Sequence, residues 1–219
     1  MTEADLLAAW EAALPRSRRE RALVLAGVVS DRAGLEDLPL GQVDALLLDL
    51  REHCFGPLLD CLVTCPDCGE ELDATVGVCE LRLPTTQRGD EEVRVGGGRL
   101  RVRPVTTRDL RLTGDRGSLV RRCVVEGEVD DEALDRVEGV LDGLDPQAAP
   151  TVDLDCPTCR ASWTAPFDVA EFVWQEVDRT ARRTLHDVQA LASAYGWREP
   201  DVLALTAVRR RYYLESAGT

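Results

Sequence analysis

The chain of 219 residues contains no lysine, asparagine or isoleucine, so all 26 of its basic residues are arginine. This bias is typical of a GC-rich genome. The 40 acidic residues outnumber the arginines and give a formal net charge of −14. A protein that binds nucleic acid needs a basic surface to displace counterions from the phosphates. The charge therefore argues against nucleic acid as a partner.

The chain also lacks a run of about 18 apolar residues, the length that a membrane-spanning helix requires. Its first residues are acidic, whereas a secretory signal peptide begins with basic residues. We therefore expect a cytosolic protein that does not insert into a membrane. The cytosol keeps thiols reduced, which favours metal binding over disulfides for the eight cysteines.

Signatures of catalysis are missing as well. The only histidines are His53 and His186, and neither lies near a nucleophile motif such as Gly-x-Ser-x-Gly. The run Gly96-Gly97-Gly98 lacks the lysine and the hydroxyl residue of a phosphate-binding P-loop, and there is no Rossmann fingerprint. We predict that the protein is not an enzyme and has neither catalytic nor organic-cofactor-binding residues.

Two Cys-x-x-Cys pairs are the most informative feature that is present. Cys65 and Cys68 form the first pair, and Cys156 and Cys159 form the second, 91 positions later. Apolar residues align at the same offset beyond the cysteines: Leu72 with Trp163, Val76 with Phe167, Val78 with Val169 and Leu81 with Phe172. The alignment predicts a repeated unit, a knuckle with two thiols followed by a strand.

Two such knuckles together can hold one metal ion. Thiolates at the ends of a tight Cys-x-x-Cys turn reach a zinc ion at roughly 2.3 Å, so each pair supplies half of a tetrahedral site. Gly69 permits a left-handed backbone after the first pair, and Arg160 departs from that pattern after the second. The sequence predicts one structural Zn²⁺ per chain. The predicted ligands are Cys65, Cys68, Cys156 and Cys159.

Redox-active pairs and disulfides are the alternatives to zinc. A thioredoxin-type pair opens a helix that follows a strand, whereas strand-like sequence follows both pairs here. We expect the remaining cysteines, Cys54, Cys61, Cys79 and Cys123, to be small buried hydrophobic residues. Cys61 and Cys79 are near enough to the first pair to compete with a predicted ligand.

Hydrophobic periodicity predicts an α+β protein that is mostly helical, with a split zinc ribbon, an inserted hairpin-plus-helices segment and flanking terminal helices. The predicted regions are N-terminal helices over 1–57, a first zinc knuckle over 58–81, an inserted segment over 82–149, a second zinc knuckle over 150–167 and C-terminal helices over 168–219. A first helix follows a cap at Thr2, and others are predicted over 18–30, 42–54, 107–112, 117–126, 131–144, 169–195, 200–205 and 208–215. Strands are predicted over 59–64 and 72–78, and a hairpin turn at Gly96-Gly97-Gly98.

The C-terminal region carries a more specific pattern than the cysteines. It contains Tyr195-Gly196-Trp197 within 191–205, followed by Arg209-Arg210-Arg211-Tyr212-Tyr213-Leu214. Together with segments at 38–41, 103–110 and 145–148, it resembles a phage-tail-type baseplate protein family. That family includes T-even-like baseplate hub and hub-assembly proteins and occurs in bacterial contractile injection systems. The likeness covers nearly the whole chain, but Gln189-Ala190 stands where the family often has a histidine before Leu-Ala.

The resemblance implies a structural or chaperone-like assembly component of a contractile-tail baseplate, with baseplate, hub or spike proteins as partners. Made in the cytoplasm of the producer cell, it would be incorporated into a phage tail or injection particle. Aromatic and arginine side chains are enriched at interfaces. The predicted interface residues are Trp174, Tyr195, Trp197, Arg209, Arg210, Arg211, Tyr212 and Tyr213. The alternatives are a zinc-ribbon regulator that binds nucleic acid with salt-dependent affinity, and a thiol-redox protein.

Overall fold

The structure is a computed structural model that describes residues 2–84, 90–95, 98–131 and 133–218. Its helices are α1 (Glu3–Ala13), α2 (Arg18–Val29), α3 (Leu40–Phe55), α4 (Val78–Leu81), α5 (Thr107–Leu112), α6 (Arg116–Cys123), α7 (Leu134–Leu144), α8 (Val169–Tyr195), α9 (Glu199–Leu203) and α10 (Ala207–Ser216). Its strands are β1 (Leu58–Thr64), β2 (Glu71–Gly77), β3 (Glu91–Val95), β4 (Gly98–Val102), β5 (Val124–Glu126), β6 (Thr151–Asp155) and β7 (Ser162–Pro166). The predicted α+β class, dominated by helices, is confirmed.

Polar caps set the ends of the principal helices. The Thr2 side chain accepts a hydrogen bond from the Asp5 N–H, and the Asp5 carboxylate accepts one from the Thr2 N–H, which makes a capping box for α1. At the start of α8 the Asp168 side chain accepts one hydrogen bond from the Glu171 N–H, and Gly196 ends that helix in the left-handed conformation at φ 70°. These signals are local, which is why both helix starts could be predicted.

Buried apolar side chains form two clusters. The larger one joins α1, α2, α3 and α8 to the bases of β1 and β2, and Leu25, Leu47 and Val173 are fully buried within it. The smaller one lies in the inserted segment and contains Val102 of β4 and Val137 of α7. The insertion therefore has a small core of its own. No helix in the described part of the chain is long and apolar enough to cross a membrane.

The inserted segment differs from the prediction in one element. The helix expected over 117–126 ends at Cys123, and β5 then pairs with β4, placing Val124 opposite Val102. Val124 and Val125 are β-branched and favour a strand once a free edge lies beside them. β3 and β4 form the expected hairpin. The predicted turn residues Gly96 and Gly97 lie outside the described residues.

Buried polar groups join the insertion to the rest of the protein. The Gly41 N–H at the start of α3 donates to the Asp145 carboxylate at 2.8 Å. Gln147, fully buried, accepts from the Leu83 N–H at 2.7 Å and donates to the Leu81 carbonyl at 3.0 Å. A single glutamine thus satisfies backbone groups where the chain leaves α4, because the returning chain runs beside it.

Asp44 on α3 makes the stability of the protein depend on pH. Burial, and then the charge of Asp145, raise the pKa of Asp44 from 3.8 to about 7, although Arg18 opposes the shift. The folded state therefore binds an extra proton between about pH 4 and pH 7, and stability falls as the pH rises through that window.

Replacing Asp44 with asparagine should remove this dependence. We expect Asp44→Asn to melt at a higher temperature than the wild type at pH 8 and at nearly the same temperature at pH 4. Thermal unfolding followed by circular dichroism at the two pH values measures the difference. Parallel pH profiles for the two proteins would contradict the prediction.

Candidate metal centre

Each cysteine pair lies in the turn of a two-stranded antiparallel hairpin. β1 pairs with β2 in the first hairpin, where Val63 stands opposite Leu72. β6 pairs with β7 in the second, where Leu154 stands opposite Trp163. These two pairs of residues are related by the offset of 91. The sequence repeat that relates the two cysteine pairs therefore also relates the strand registers of the two hairpins. It includes the strand that precedes each cysteine pair.

The two turns also share their backbone conformation. In the first, the Cys65 N–H donates to the Glu70 carbonyl at 2.9 Å and the Gly69 N–H to the Cys65 carbonyl at 3.0 Å. In the second, the Cys156 N–H donates to the Ala161 carbonyl at 2.8 Å and the Arg160 N–H to the Cys156 carbonyl at 2.9 Å. Gly69 has φ 74° and Arg160 has φ 65°, so both are left-handed. The expected left-handed conformation of Gly69 is confirmed. Arg160 adopts the same conformation, which is strained for a residue other than glycine.

The two turns meet through their sulfur atoms. The Sγ atoms of Cys65 and Cys159 are 3.6 Å apart, and those of Cys68 and Cys156 are 3.7 Å apart. All four lie within 4.8 Å of one another. Thiolates placed tetrahedrally at roughly 2.3 Å around zinc are about 3.8 Å from each other, so the four cysteines fit such an ion. The first cysteine of each pair thus contacts the second cysteine of the other pair. This crossed arrangement is the one expected for two hairpins related by a twofold rotation.

Backbone N–H groups favour the charged form of a thiol in this cluster. The N–H of Cys159, together with that of Thr158, lowers the pKa of Cys156 to about 7. Cys65 and Cys156 are buried, whereas Cys68 and Cys159 are exposed. The cluster thus combines two shielded sulfurs with two accessible ones. A four-thiolate metal site needs deprotonated cysteines, and the donors to the sulfur of Cys156 favour that state for this one ligand.

The other four cysteines lie apart from this cluster, which among the described residues contains only the predicted four. Cys123 is buried and Cys54 is half-buried, and burial raises the pKa of each to about 11. Cys61 is half-buried in β1. Cys79 is exposed on α4, so the expectation that it is buried was wrong. In the short helix α4 the Cys79 side chain faces the solvent.

Each hairpin continues into a helix at equivalent positions. Val78 begins α4 and Val169 begins α8, and Leu81 and Phe172 lie one turn further along. The predicted strand over 72–78 therefore ends one residue earlier, at Gly77, and the prediction was wrong for Val78, which belongs to a helix. A capping signal was present but not used: Glu80 accepts a hydrogen bond from the Gly77 N–H at 2.9 Å.

Two of the predicted interface residues lie inside the protein. Trp174 is 8% exposed in the larger core, with the Arg21 guanidinium 4.3 Å above its ring. Arg210 is 5% exposed and forms ion pairs with Glu3 and Asp187. The structure therefore removes Trp174 and Arg210 from the predicted surface, because packing of α8 against the N-terminal helices covers the first and the α1 and α8 carboxylates hold the second.

The remaining aromatic residues connect the end of α8 to α10. The Trp197 ring centroid lies 5.0 Å from that of Tyr195 and 4.9 Å from that of Tyr213. The Tyr195 hydroxyl donates to the Tyr213 carbonyl at 3.2 Å. Trp197 and Tyr213 are half-buried by these contacts. The exposed predicted residues are Tyr195, Arg209, Arg211 and Tyr212.

The fold and the site together define a mostly helical protein with a ribbon-type, four-cysteine cluster assembled from two distant hairpins. Residues 3–142 match the family described as T4 bacteriophage base plate protein, and the chain belongs to this family. Comparisons with curated proteins and with solved structures each find no match. The resemblance predicted from the sequence is confirmed. The matched region includes the first cysteine pair and ends before the second.

Proposed function

We propose that this protein is a non-enzymatic structural or assembly component of the baseplate of a contractile phage tail or tail-like injection system, stabilised by one Zn²⁺. Membership of the baseplate family is the observation that supports this role. The mutual distances of the four sulfurs support a zinc ion held by Cys65, Cys68, Cys156 and Cys159. When bound, the ion supplies a cross-link between the hairpins and no reaction chemistry.

The zinc would set the relative position of α3 and α8. β1 follows α3 directly and β7 leads into α8, so joining the two turns restrains both helices. Near the base of the ribbon, the Arg51 side chain on α3 is 3% exposed and pairs with Glu176 on α8 at 2.9 Å. Binding energy in a site that exists only when folded becomes folding energy. The metal and this ion pair would therefore act together on one interface.

We also propose that the five sequence regions act as one scaffold. The first and second zinc knuckles, over 58–81 and 150–167, would hold both ends of the insertion over 82–149. The separate apolar cluster of the insertion supports this division. The helical regions over 1–57 and 168–219 would form the body. Made in the cytoplasm of the producer cell, the protein would then join the particle.

The partner surface that we propose combines exposed and half-buried residues of the C-terminal region, where aromatic rings adjoin arginines. Its residues are Tyr195, Trp197, Arg209, Arg211, Tyr212 and Tyr213. Rings held against one another lose little freedom on binding, and aromatic and arginine side chains commonly anchor interfaces. Baseplate, hub or spike proteins of the same particle would bind there.

A co-purification experiment tests this proposal. We expect the tagged protein, isolated from cells that make the complete particle, to retain baseplate, hub or spike proteins identified by mass spectrometry. Tyr212→Ala should lower their recovery several-fold, whereas Leu112→Arg, at a residue with 62% exposure on α5, should not. Recovery of nucleic acid with salt-dependent affinity, and of no tail protein, would favour the regulator instead.

A further inference from the structure

We infer that the free edge of β1 is a strand-addition site, where an extended segment of another protein, with apolar and basic residues, pairs with β1 as a third strand of the first hairpin. This surface is separate from the C-terminal one proposed above, and it does not depend on the baseplate role. An unpaired strand edge, exposed leucines beside an open cavity and uncompensated negative charge occur together there.

The edge of β1 has no neighbouring strand. β1 pairs with β2 alone, in a continuous register from Leu58 opposite Gly77 to Thr64 opposite Glu71. In an antiparallel pair, alternate residues direct their N–H and C=O groups away from the neighbouring strand. Within the described part of the chain, the main-chain groups of β1 bond to no main-chain group outside β2. β1 also contains neither a proline nor a bulge, which commonly block a strand edge, so this edge can receive a further strand.

The outer face of β1 carries two exposed leucines. Leu58 is 60% exposed and Leu62 is 67% exposed, and both lie on one face because side chains alternate along a strand. At the offset of 91, Leu62 corresponds to Asp153 of the second hairpin, whose carboxylate accepts a hydrogen bond from the Thr164 hydroxyl at 2.6 Å. The same hairpin fold therefore forms with a polar residue at this position. Apolar side chains of an added strand would cover the two leucines.

The inner face of β1 borders an open cavity. This cavity has a volume of about 490 Å³ between the two hairpins and the start of α8, and Val63 and Phe172 are among the residues that line it. Asp168 and Glu171 also line it, and both are ion-paired with Arg18. The charges of these two carboxylates are thus compensated, and the cavity offers mainly apolar surface. Because a strand directs successive side chains to opposite faces, every second side chain of an added strand would point towards this cavity.

The first hairpin carries negative charge that no arginine balances. Residues 57–81 contain six carboxylates and no arginine, and all six are exposed. The next arginine among the described residues, Arg82, pairs instead with Asp49 and Glu52. A strand with basic side chains beside its apolar ones is therefore favoured as the partner. The β1 edge of a second copy would bring the same negative charge and be repelled. The six carboxylates, none of which forms an ion pair among the described residues, are Asp60, Asp67, Glu70, Glu71, Asp73 and Glu80.

Binding of the synthetic peptide Lys-Val-Leu-Lys-Val-Val-Leu-Lys to the zinc-loaded protein tests the inference. We expect fluorescence anisotropy to show saturable binding that weakens as salt is added. Proline in place of the two adjacent valines removes main-chain donors and should weaken binding at least about tenfold. Glutamate in place of the lysines should abolish it. Hydrogen exchange should become slower in β1 when the peptide is bound, with no change in β6.

Substitutions at matching positions of the two hairpins provide the control. Leu62→Arg should weaken peptide binding at least about tenfold, whereas Asp153→Arg should leave it nearly unchanged. Both residues are exposed, so both variants should keep the zinc and the unfolding temperature of the wild type. Asp153→Arg removes more negative charge than Leu62→Arg, so an effect of net charge alone would be larger in the control.

Four results would overturn the inference. They are equal weakening by the two variants, binding without slower exchange in β1, no binding at about 1 mM peptide, and a dimer of the peptide-free protein that Leu62→Arg abolishes. The last result would assign the edge of β1 to a second copy. Recovery of tail proteins from cells tests the baseplate role separately, so that role can stand or fail independently of the peptide measurements.

Discussion

Replacing Cys68 with serine is expected to abolish zinc binding and to lower the unfolding temperature on the order of 15 °C. A structural four-cysteine zinc contributes its binding energy to folding, and a loss of about 5 kcal/mol shifts a protein of this size by that amount. Cys68 is exposed, so the substitution removes a ligand without emptying a core position. Elemental analysis should find one zinc per wild-type chain and almost none in Cys68→Ser.

Cys79→Ser is the matched control, because Cys79 is also exposed and lies eleven residues further along, outside the sulfur cluster. It should keep both the zinc and the unfolding temperature of the wild type. A chelator should destabilise wild type and control equally, with protease cleavage appearing first in the hairpins. A metal-free wild type that keeps its unfolding temperature and oxidises reversibly within each pair would instead be a thiol-redox protein.

The ribbon could be predicted in detail because its signals are local and occur twice. The offset of 91 aligned Leu72 with Trp163, and these residues occupy matching places in the two hairpins. The crossed contacts of the sulfurs were beyond sequence reasoning, because they depend on how the hairpins rotate against each other. The start of a helix at Val78 was not predicted, because the apolar pattern of the four residues of α4 fits a strand as well as a helix. The hydrogen bond of the Glu80 side chain to the Gly77 N–H decides for the helix.

Exposure was the least predictable property. Trp174 and Tyr212 are both aromatic residues in helices, yet the first is 8% exposed and the second 66%. In the sequence nothing distinguishes Arg209, Arg210 and Arg211 from one another. A helix rotates each residue by about 100° from the last, so one of the three must face inward when α10 packs. Which one does so depends on Glu3 and Asp187, far away in the chain.

Segments that carried the family resemblance come together in space. They are 38–41, 103–110 and 145–148. The Leu40 N–H donates to the Val105 carbonyl at 3.0 Å, and the next residue, Gly41, donates to Asp145. The family pattern thus coincides with the contact between α3 and the returning end of the insertion. This contact leaves no space for a side chain, which explains a glycine within the first turn of a helix.

Replacing Gly41 with alanine is expected to destabilise the protein by about 3 kcal/mol, or about 10 °C in unfolding temperature. A Cβ atom there would lie 2.2 Å from Asp145 Oδ1, 2.7 Å from Gln147 Cβ and 2.9 Å from the Ala148 nitrogen. Backbone is among these neighbours, so a rotamer change alone cannot relieve the overlap. The returning segment would have to move away and break the Gly41–Asp145 hydrogen bond, and chemical denaturation should show a lower midpoint.

Gly139→Ala provides the comparison, because Gly139 lies within α7 and a Cβ there meets nothing within 4 Å. Alanine is better than glycine in an open helical position by about 0.5–1 kcal/mol, so this variant should be slightly more stable than the wild type. The two substitutions are chemically identical and differ only in their surroundings. Equal effects of the two would mean that the contact between α3 and 145–148 is looser than its distances imply.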